Sequence, residues 1–209
     1  FIKTDIMTSE TLYNLILTTA QENAAILMIG SEGSRNDPTV TPDQYQDFDI
    51  TYFVSDDVFP TFDVFDRSRF GDMMIQQILP EKNRWCWLMQ FMDGNRLDLK
   101  IQPVSVVPDY LAEDTLNTIL LDKTGHYTNL TATSDWTHWV QRQTQSECDD
   151  SITEFFWVST YVLKGILRGE LLYANTFFES IVREELYRLL TWRIGREQDY
   201  TLSYYNAPN

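Results

Sequence analysis

From Thr144 onward the apolar residues of this chain recur only at helical spacing, whereas before residue 130 short strand-like runs are interleaved with helical ones. That change of period constrains the fold more than any other feature. It divides the chain into an α/β half and an all-helical half, joined near residues 130–143. The expected class is α+β, with an N-terminal domain over residues 1–132 built on a mixed sheet flanked by helices, and a helical C-terminal domain over residues 133–209. Apolar residues make up 43% of the 209 and aromatics 14%, so a sizeable core can be buried.

In the first half, residues 8–21 have helical periodicity with Thr8 or Ser9 as the cap. Residues 24–29 form a short apolar run that reads as a buried strand, and a turn follows over residues 30–36. Residues 48–54 are β-branched and aromatic, and read as a second strand. The spacing predicts a helix over 66–79. Two strands over 85–92 and 96–102 flank Asp93-Gly-Asn95, a hairpin signal, and residues 118–122 read as one more strand. In the second half, Thr144 and Glu147 form a capping-box pattern before a helix to about residue 168. A further helix is expected over 171–194, with Gly195 as its C-cap.

Period 2 places Asp47 and Asp49 on one side of the 48–54 strand, the side away from Phe48 and Ile50. Two such carboxylates, roughly 7 Å apart along the backbone, can converge on one magnesium ion. The Gly33-Ser34 pair lies in the preceding turn, where backbone N–H groups and a hydroxyl can approach phosphate; Gly30-Ser31 is a rival register for that turn. Asp98 projects from the polar side of a later strand. It can take a proton from an attacking hydroxyl, complete a metal site, or simply pair with Arg96 or Lys100. Transfer of a charged phosphoryl centre needs this combination, because its catalysis is mainly positioning and electrostatic stabilisation.

Asp and Glu number 31 against 16 Lys and Arg, a formal net charge of −15. That argues against a protein that grips nucleic acid through its phosphates. It suits a cationic ligand, or only keeps the chain soluble. Cys86 and Cys148 lack metal-site spacing and read as thiols of a reducing compartment. No run approaches the ~20 apolar residues of a membrane span. A cytoplasmic monomer is expected. His126 and His138 make a poor catalytic or metal pair.

Gly33-Ser-Arg35, twelve residues on to Asp47-Phe-Asp49, then Asp98 in Arg-Leu-Asp-Leu99, resembles the polymerase-beta-type nucleotidyltransferases. The stretch Leu88-Met-Gln-Phe-Met-Asp-Gly-Asn-Arg-Leu-Asp-Leu99, with Arg69-Phe-Gly-Asp72, Leu120-Leu-Asp-Lys123 and Glu154-Phe-Phe-Trp-Val-Ser159, is more closely similar to the aminoglycoside 6-adenylyltransferases (streptomycin adenylyltransferases), over nearly the whole chain. The resemblance implies transfer of AMP from ATP to an aminoglycoside hydroxyl. It implies Asp47, Asp49 and Asp98 as magnesium ligands, with Asp98 as general base or third ligand. Gly33, Ser34 and Arg35 would hold the triphosphate, and Lys164, on a helix of the C-terminal domain, would reach the phosphates. Glu147, Asp149, Asp150, Glu154 and Glu170 are candidates for meeting substrate ammonium groups. The family's chains run further at the C-terminus, so the helical domain is expected to be incomplete. A protein hydroxyl or another small molecule as acceptor, and a non-catalytic nucleotide-binding protein, are the alternatives.

Overall fold

The computed structural model describes residues 7–62, 66–81 and 84–203. The chain folds as two compact units, Phe1–Thr137 and His138–Asn209.

The first unit is built on a six-stranded mixed sheet. Its strands are β1 (Ile26–Glu32), β2 (Phe48–Val54), β3 (Met73–Glu81), β4 (Arg84–Phe91), β5 (Arg96–Pro103) and β6 (Thr118–Asp122), in the order β3-β4-β5-β2-β1-β6. β2 and β5 are parallel; the other neighbours are antiparallel. Helix α1 (Ser9–Glu22) is capped by the Thr8 hydroxyl, which accepts from the Thr11 N–H. It buries Leu12 and Ile16 against Phe48, Ile50, Leu97, Leu99 and Ile101. Each such side chain contributes about 1.5–3 kcal/mol. The buried Tyr52 hydroxyl donates to the Ile16 carbonyl at 2.7 Å, tying helix to sheet. The opposite face is only partly covered. A short helix, α2 (Val107–Glu113), packs Val107 and Tyr110 on Met28 and Phe53 there, which leaves the ends of β2, β1 and β5 open beside it.

The helix expected over residues 66–79 is not formed. A 3₁₀ turn over Arg67–Phe70 ends at Gly71, whose φ of +140° disfavours any side chain, and β3 follows as an edge strand paired with β4. Both sides of β3 face solvent, with Met74 66% and Ile75 65% exposed. Its sequence therefore shows no alternation, and the spacing of its apolar residues imitated a helix.

The second unit is helical among its described residues, apart from one isolated bridge between Trp139 and Ser203. Helix α3 (Gln145–Leu167) carries the reciprocal capping box of Thr144 and Glu147. It ends in a Schellman turn at Gly169 (φ +73°), where the Glu170 N–H donates to the Gly165 carbonyl and the Gly169 N–H to Ile166. The chain then runs through α4 (Leu171–Phe177), a π-helical stretch over Phe178–Val182, and α5 (Arg183–Glu197). Gly195 is not the cap. It lies buried inside α5, where a Cβ would stand 2.8 Å from Val140 and 3.0 Å from the Tyr200 ring. Close packing, not a left-handed turn, requires glycine there. The reversal falls instead at Asp199 and Tyr200, both with positive φ.

Neither cysteine is in a disulfide. Among the described residues, no helix is long and apolar enough to cross a membrane.

Candidate active site

The register of the parallel pair sets Asp49 of β2 beside Asp98 of β5, and the antiparallel pairing sets Asp49 beside Glu32 of β1. Neighbours across a sheet project to the same side. Asp98, Asp49 and Glu32 therefore form a row of carboxylates over three strands, and Asp47 joins it from the entrance of β2.

Like charges side by side oppose sheet formation, and two cations from β5 offset them. Arg96 and Lys100 lie two residues either side of Asp98, hence on its side of the strand. The Arg96 guanidinium donates from Nε to Asp98 Oδ1 at 3.0 Å and from Nη2 to Oδ2 at 2.8 Å, while Nη1 stands 3.4 Å from Asp47 Oδ2. Its hydrogen bond to Asp98 raises the Arg96 pKa. Lys100 is bound to Glu32, which also accepts from the Thr51 hydroxyl at 2.7 Å. Asp49, in the middle, accepts no hydrogen bond from any described residue. Burial, and then the Asp98 carboxylate, push its pKa up to about 6 against the pull of Lys100. Burial also raises Asp47 above its ordinary value, opposed by Arg96.

The turn before this row is the 3₁₀ segment Gly33–Asn36. Gly33 has φ +72°, and a Cβ there would stand 2.7 Å from Asp49 Oδ2. Gly30 lies within β1, its Cα covered by the Tyr110 ring. Gly33-Ser34, not Gly30-Ser31, is thus the pair in the turn. Arg35 is engaged by the protein: Nε donates to the Asp47 carbonyl at 2.8 Å, Nη2 to the Gln46 carbonyl at 2.7 Å and to the Ser9 hydroxyl at 3.0 Å, and the guanidinium stacks on Phe48 at 3.7 Å. In return the Gln46 amide donates to the Ser34 carbonyl at 3.0 Å. These bonds clamp the turn to the segment that presents Asp47.

Sequence reasoning missed Glu32 as a member of the row. By sequence, residues 30–36 read as one turn, which hides the strand position of Glu32. β1 in fact extends three residues beyond Ile29, so Glu32 is a strand residue with its own counter-ion. Together with Asp49, Gly33, Lys100 and Tyr110 it lines a cleft of about 330 Å³. Both side chains of the Glu32–Lys100 pair are largely buried, at 18% and 20% exposure. Lys100→Met is therefore expected to lower stability by about 2 kcal/mol by stranding a carboxylate. The double variant Glu32→Gln, Lys100→Met should recover most of that in urea unfolding.

Carboxylate oxygens in excess over local cations, with an unpartnered member at the centre, suit a hard divalent ion. The residues present fit such a group. With Asp47 and Asp98 drawn onto Arg96, no three His, Cys, Asp or Glu side chains among the described residues converge on one point.

In the second unit Lys164 is exposed on α3, its Nζ 5.7 Å from the Tyr161 ring. Glu147, Asp150 and Glu154 line a cleft of about 540 Å³ with Glu185, Arg188 and Trp192. Asp149 accepts from Gln145 at 2.8 Å, and Glu170 is exposed at the start of α4.

A mixed sheet that sets a carboxylate pair behind a Gly-Ser turn, with a third carboxylate on the adjoining parallel strand, defines a nucleotidyltransferase. Comparison with known proteins agrees: residues 6–208 match the family model described as Streptomycin adenylyltransferase. The chain is 35% identical over 201 residues to the aminoglycoside 6-adenylyltransferase of Bacillus subtilis (91% of this chain, 70% of the relative). It is 35% identical over 199 residues to that of Campylobacter jejuni (91% and 69%) and 32% identical over 206 to that of Staphylococcus aureus (94% and 73%). A crystal structure of an aminoglycoside 6-adenyltransferase from Bacillus subtilis is 31% identical, over 94% of this chain and 71% of that one, with a TM-score of 0.46. The chain belongs to the streptomycin adenylyltransferase family and is an adenylyltransferase.

Proposed function

We propose that this protein transfers AMP from ATP to a hydroxyl of an aminoglycoside such as streptomycin, releasing pyrophosphate and inactivating the antibiotic in the cytoplasm. One observation carries the reading: the in-register pair Asp49 and Asp98, joined by Asp47, on the open face of the sheet and directly behind the Gly33 turn. The acceptor oxygen attacks the α-phosphorus, the bond from that phosphorus to the bridging oxygen of pyrophosphate breaks, and the hydroxyl proton passes to Asp98. Asp47, Asp49 and Asp98 are the residues that would hold magnesium, which when bound offsets the charge on the phosphate oxygens.

In this reading residues 1–132 form the nucleotide domain and residues 133–209 the acceptor domain. Gly33 offers its backbone N–H and Ser34 its hydroxyl to the triphosphate. Arg35 adds positive charge there while its hydrogen bonds fix Gln46 and Asp47. The family resemblance adds Lys164 as a further cation for the triphosphate. The acidic cleft of Glu147, Asp150 and Glu154 takes ammonium groups of the acceptor, and the net charge of −15 favours such a polycation. A monomer is the favoured state, and the net charge of −15 argues against a nucleic-acid partner.

Incubation with labelled ATP, magnesium and streptomycin tests the reading. Pyrophosphate and an adenylylated product are expected. ATP binding with no transfer to any aminoglycoside would refute it, and would favour another acceptor or a protein that only binds nucleotide.

A further inference from the structure

We infer that Arg96 is a built-in counter-cation of the carboxylate row, and that it competes with the divalent ion for Asp47 and Asp98. The inference rests on the reading of Asp47, Asp49 and Asp98 as the metal ligands. Both oxygens of Asp98 are taken by the Arg96 fork, at 3.0 and 2.8 Å, and the outer nitrogen stands 3.4 Å from Asp47. Two of the three ligands are thus drawn toward one guanidinium, and the third, Asp49, accepts no hydrogen bond from a described residue. An ion that coordinates Asp47 and Asp98 has to use carboxylate oxygens that already face this guanidinium. It also approaches a fixed positive charge. Whether Arg96 stays and repels the ion or withdraws from it, the sign is the same: Arg96 weakens metal binding.

The benefit lies in the metal-free protein. Asp47, Asp49, Asp98 and Glu32 crowd one side of the sheet, and Lys100 is committed to Glu32. Without Arg96, Asp47 and Asp98 would lose the one guanidinium that they share. Arg96 can release them because it enters β5 directly after the Asp93–Asn95 turn and its side chain is 40% exposed, twice the exposure of Lys100. Arg96 is therefore a positioning residue. It keeps the ligands ordered before the ion arrives, at the expense of affinity.

Mn²⁺ is a suitable probe, with binding read by the paramagnetic resonance of the free ion at pH 8. Arg96→Gln keeps a hydrogen-bond donor and removes the charge. It is expected to bind Mn²⁺ about tenfold more tightly than the wild type, the scale of one unit charge acting across a few ångströms of partly screened medium. Arg96→Lys, which keeps the charge, should stay within about twofold of the wild type. Equal or weaker binding by Arg96→Gln would overturn the inference. A second measurement needs no folded Gln variant. The arginine Nε–H resonance of wild-type Arg96, assigned by its absence in Arg96→Lys, should shift as Mg²⁺ is added. A resonance unmoved at saturation would equally overturn the inference. If the folded wild type binds no Mn²⁺, the metal-site reading itself fails. Wild-type binding with no gain in Arg96→Gln removes only the competition.

Discussion

Asp49→Asn is expected to abolish transfer, by on the order of 10³-fold or more, and at the same time to make the metal-free protein more stable at neutral pH. The two effects have one origin. Asp49 stands between Asp98 and Glu32 and accepts no hydrogen bond from a described residue, so burial and its neighbours raise its pKa to about 6. A carboxyl group whose folded pKa lies above its unfolded value favours folding while protonated. That contribution is fully present below the unfolded value of 3.8 and is lost as pH rises through about 6. Above that point the ionised group opposes folding by roughly 3 kcal/mol. Asparagine keeps the shape and removes the charge. In chelator, the stability difference between Asp49→Asn and wild type should therefore be clearly smaller near pH 4.5 than at pH 7.5, where it is close to its maximum. Thermal unfolding at the two pH values, beside a transfer assay with magnesium, checks both halves. Retained transfer would show that the metal is held elsewhere. Lost transfer with lost stability would point to a damaged fold.

Asp47, Asp49 and Asp98 were legible in the sequence because each lies in or beside a strand whose parity is fixed by buried partners. Phe48 and Ile50 go into the core, so Asp47 and Asp49 face out; Leu97 and Leu99 go in, so Asp98 faces out. What the sequence did not carry is which strands are neighbours. The β2–β5 pairing brings together residues about fifty positions apart, and only that register makes Asp49 and Asp98 a pair. The same gap concealed Glu32, whose partners Thr51 and Lys100 come from two other strands. Arg96 and Lys100 were interchangeable as partners of Asp98 on spacing alone. Arg96 takes Asp98, and Lys100 is bound to Glu32, across β2 on β1. The misread segments fail for related reasons. β3 is an edge strand with no buried side to impress a period on its sequence, and Gly195 is held by close packing against Val140 and Tyr200, a contact invisible along the chain.

Gly33→Ala is expected to lower kcat/KM for transfer by roughly 10²-fold while costing only about 1–2 kcal/mol of stability. Alanine at φ +72° pays the ordinary cost of left-handed backbone, on the order of 1–2 kcal/mol. Its Cβ would lie 2.7 Å from Asp49 Oδ2, the end of a side chain that can turn aside. The collision therefore adds little to the stability cost, but it moves the carboxylate. A displacement of about 1 Å at a reacting centre is enough for a 10²-fold loss. Two other glycines separate these contributions. Gly94 has φ +92° with nothing within 4 Å of the Cβ position, so Gly94→Ala should show the backbone cost with activity kept. Gly30 has no positive φ, but its Cβ would stand 2.7 Å from the Tyr110 hydroxyl and 2.9 Å from Phe53. Gly30→Ala should therefore destabilise through the core by about 1–3 kcal/mol. Urea midpoints and kcat/KM for the three variants decide the matter. If Gly33→Ala loses no more activity than Gly94→Ala, the turn does not support Asp49. If its activity loss far exceeds its stability loss, the glycine is there to make room for the carboxylate.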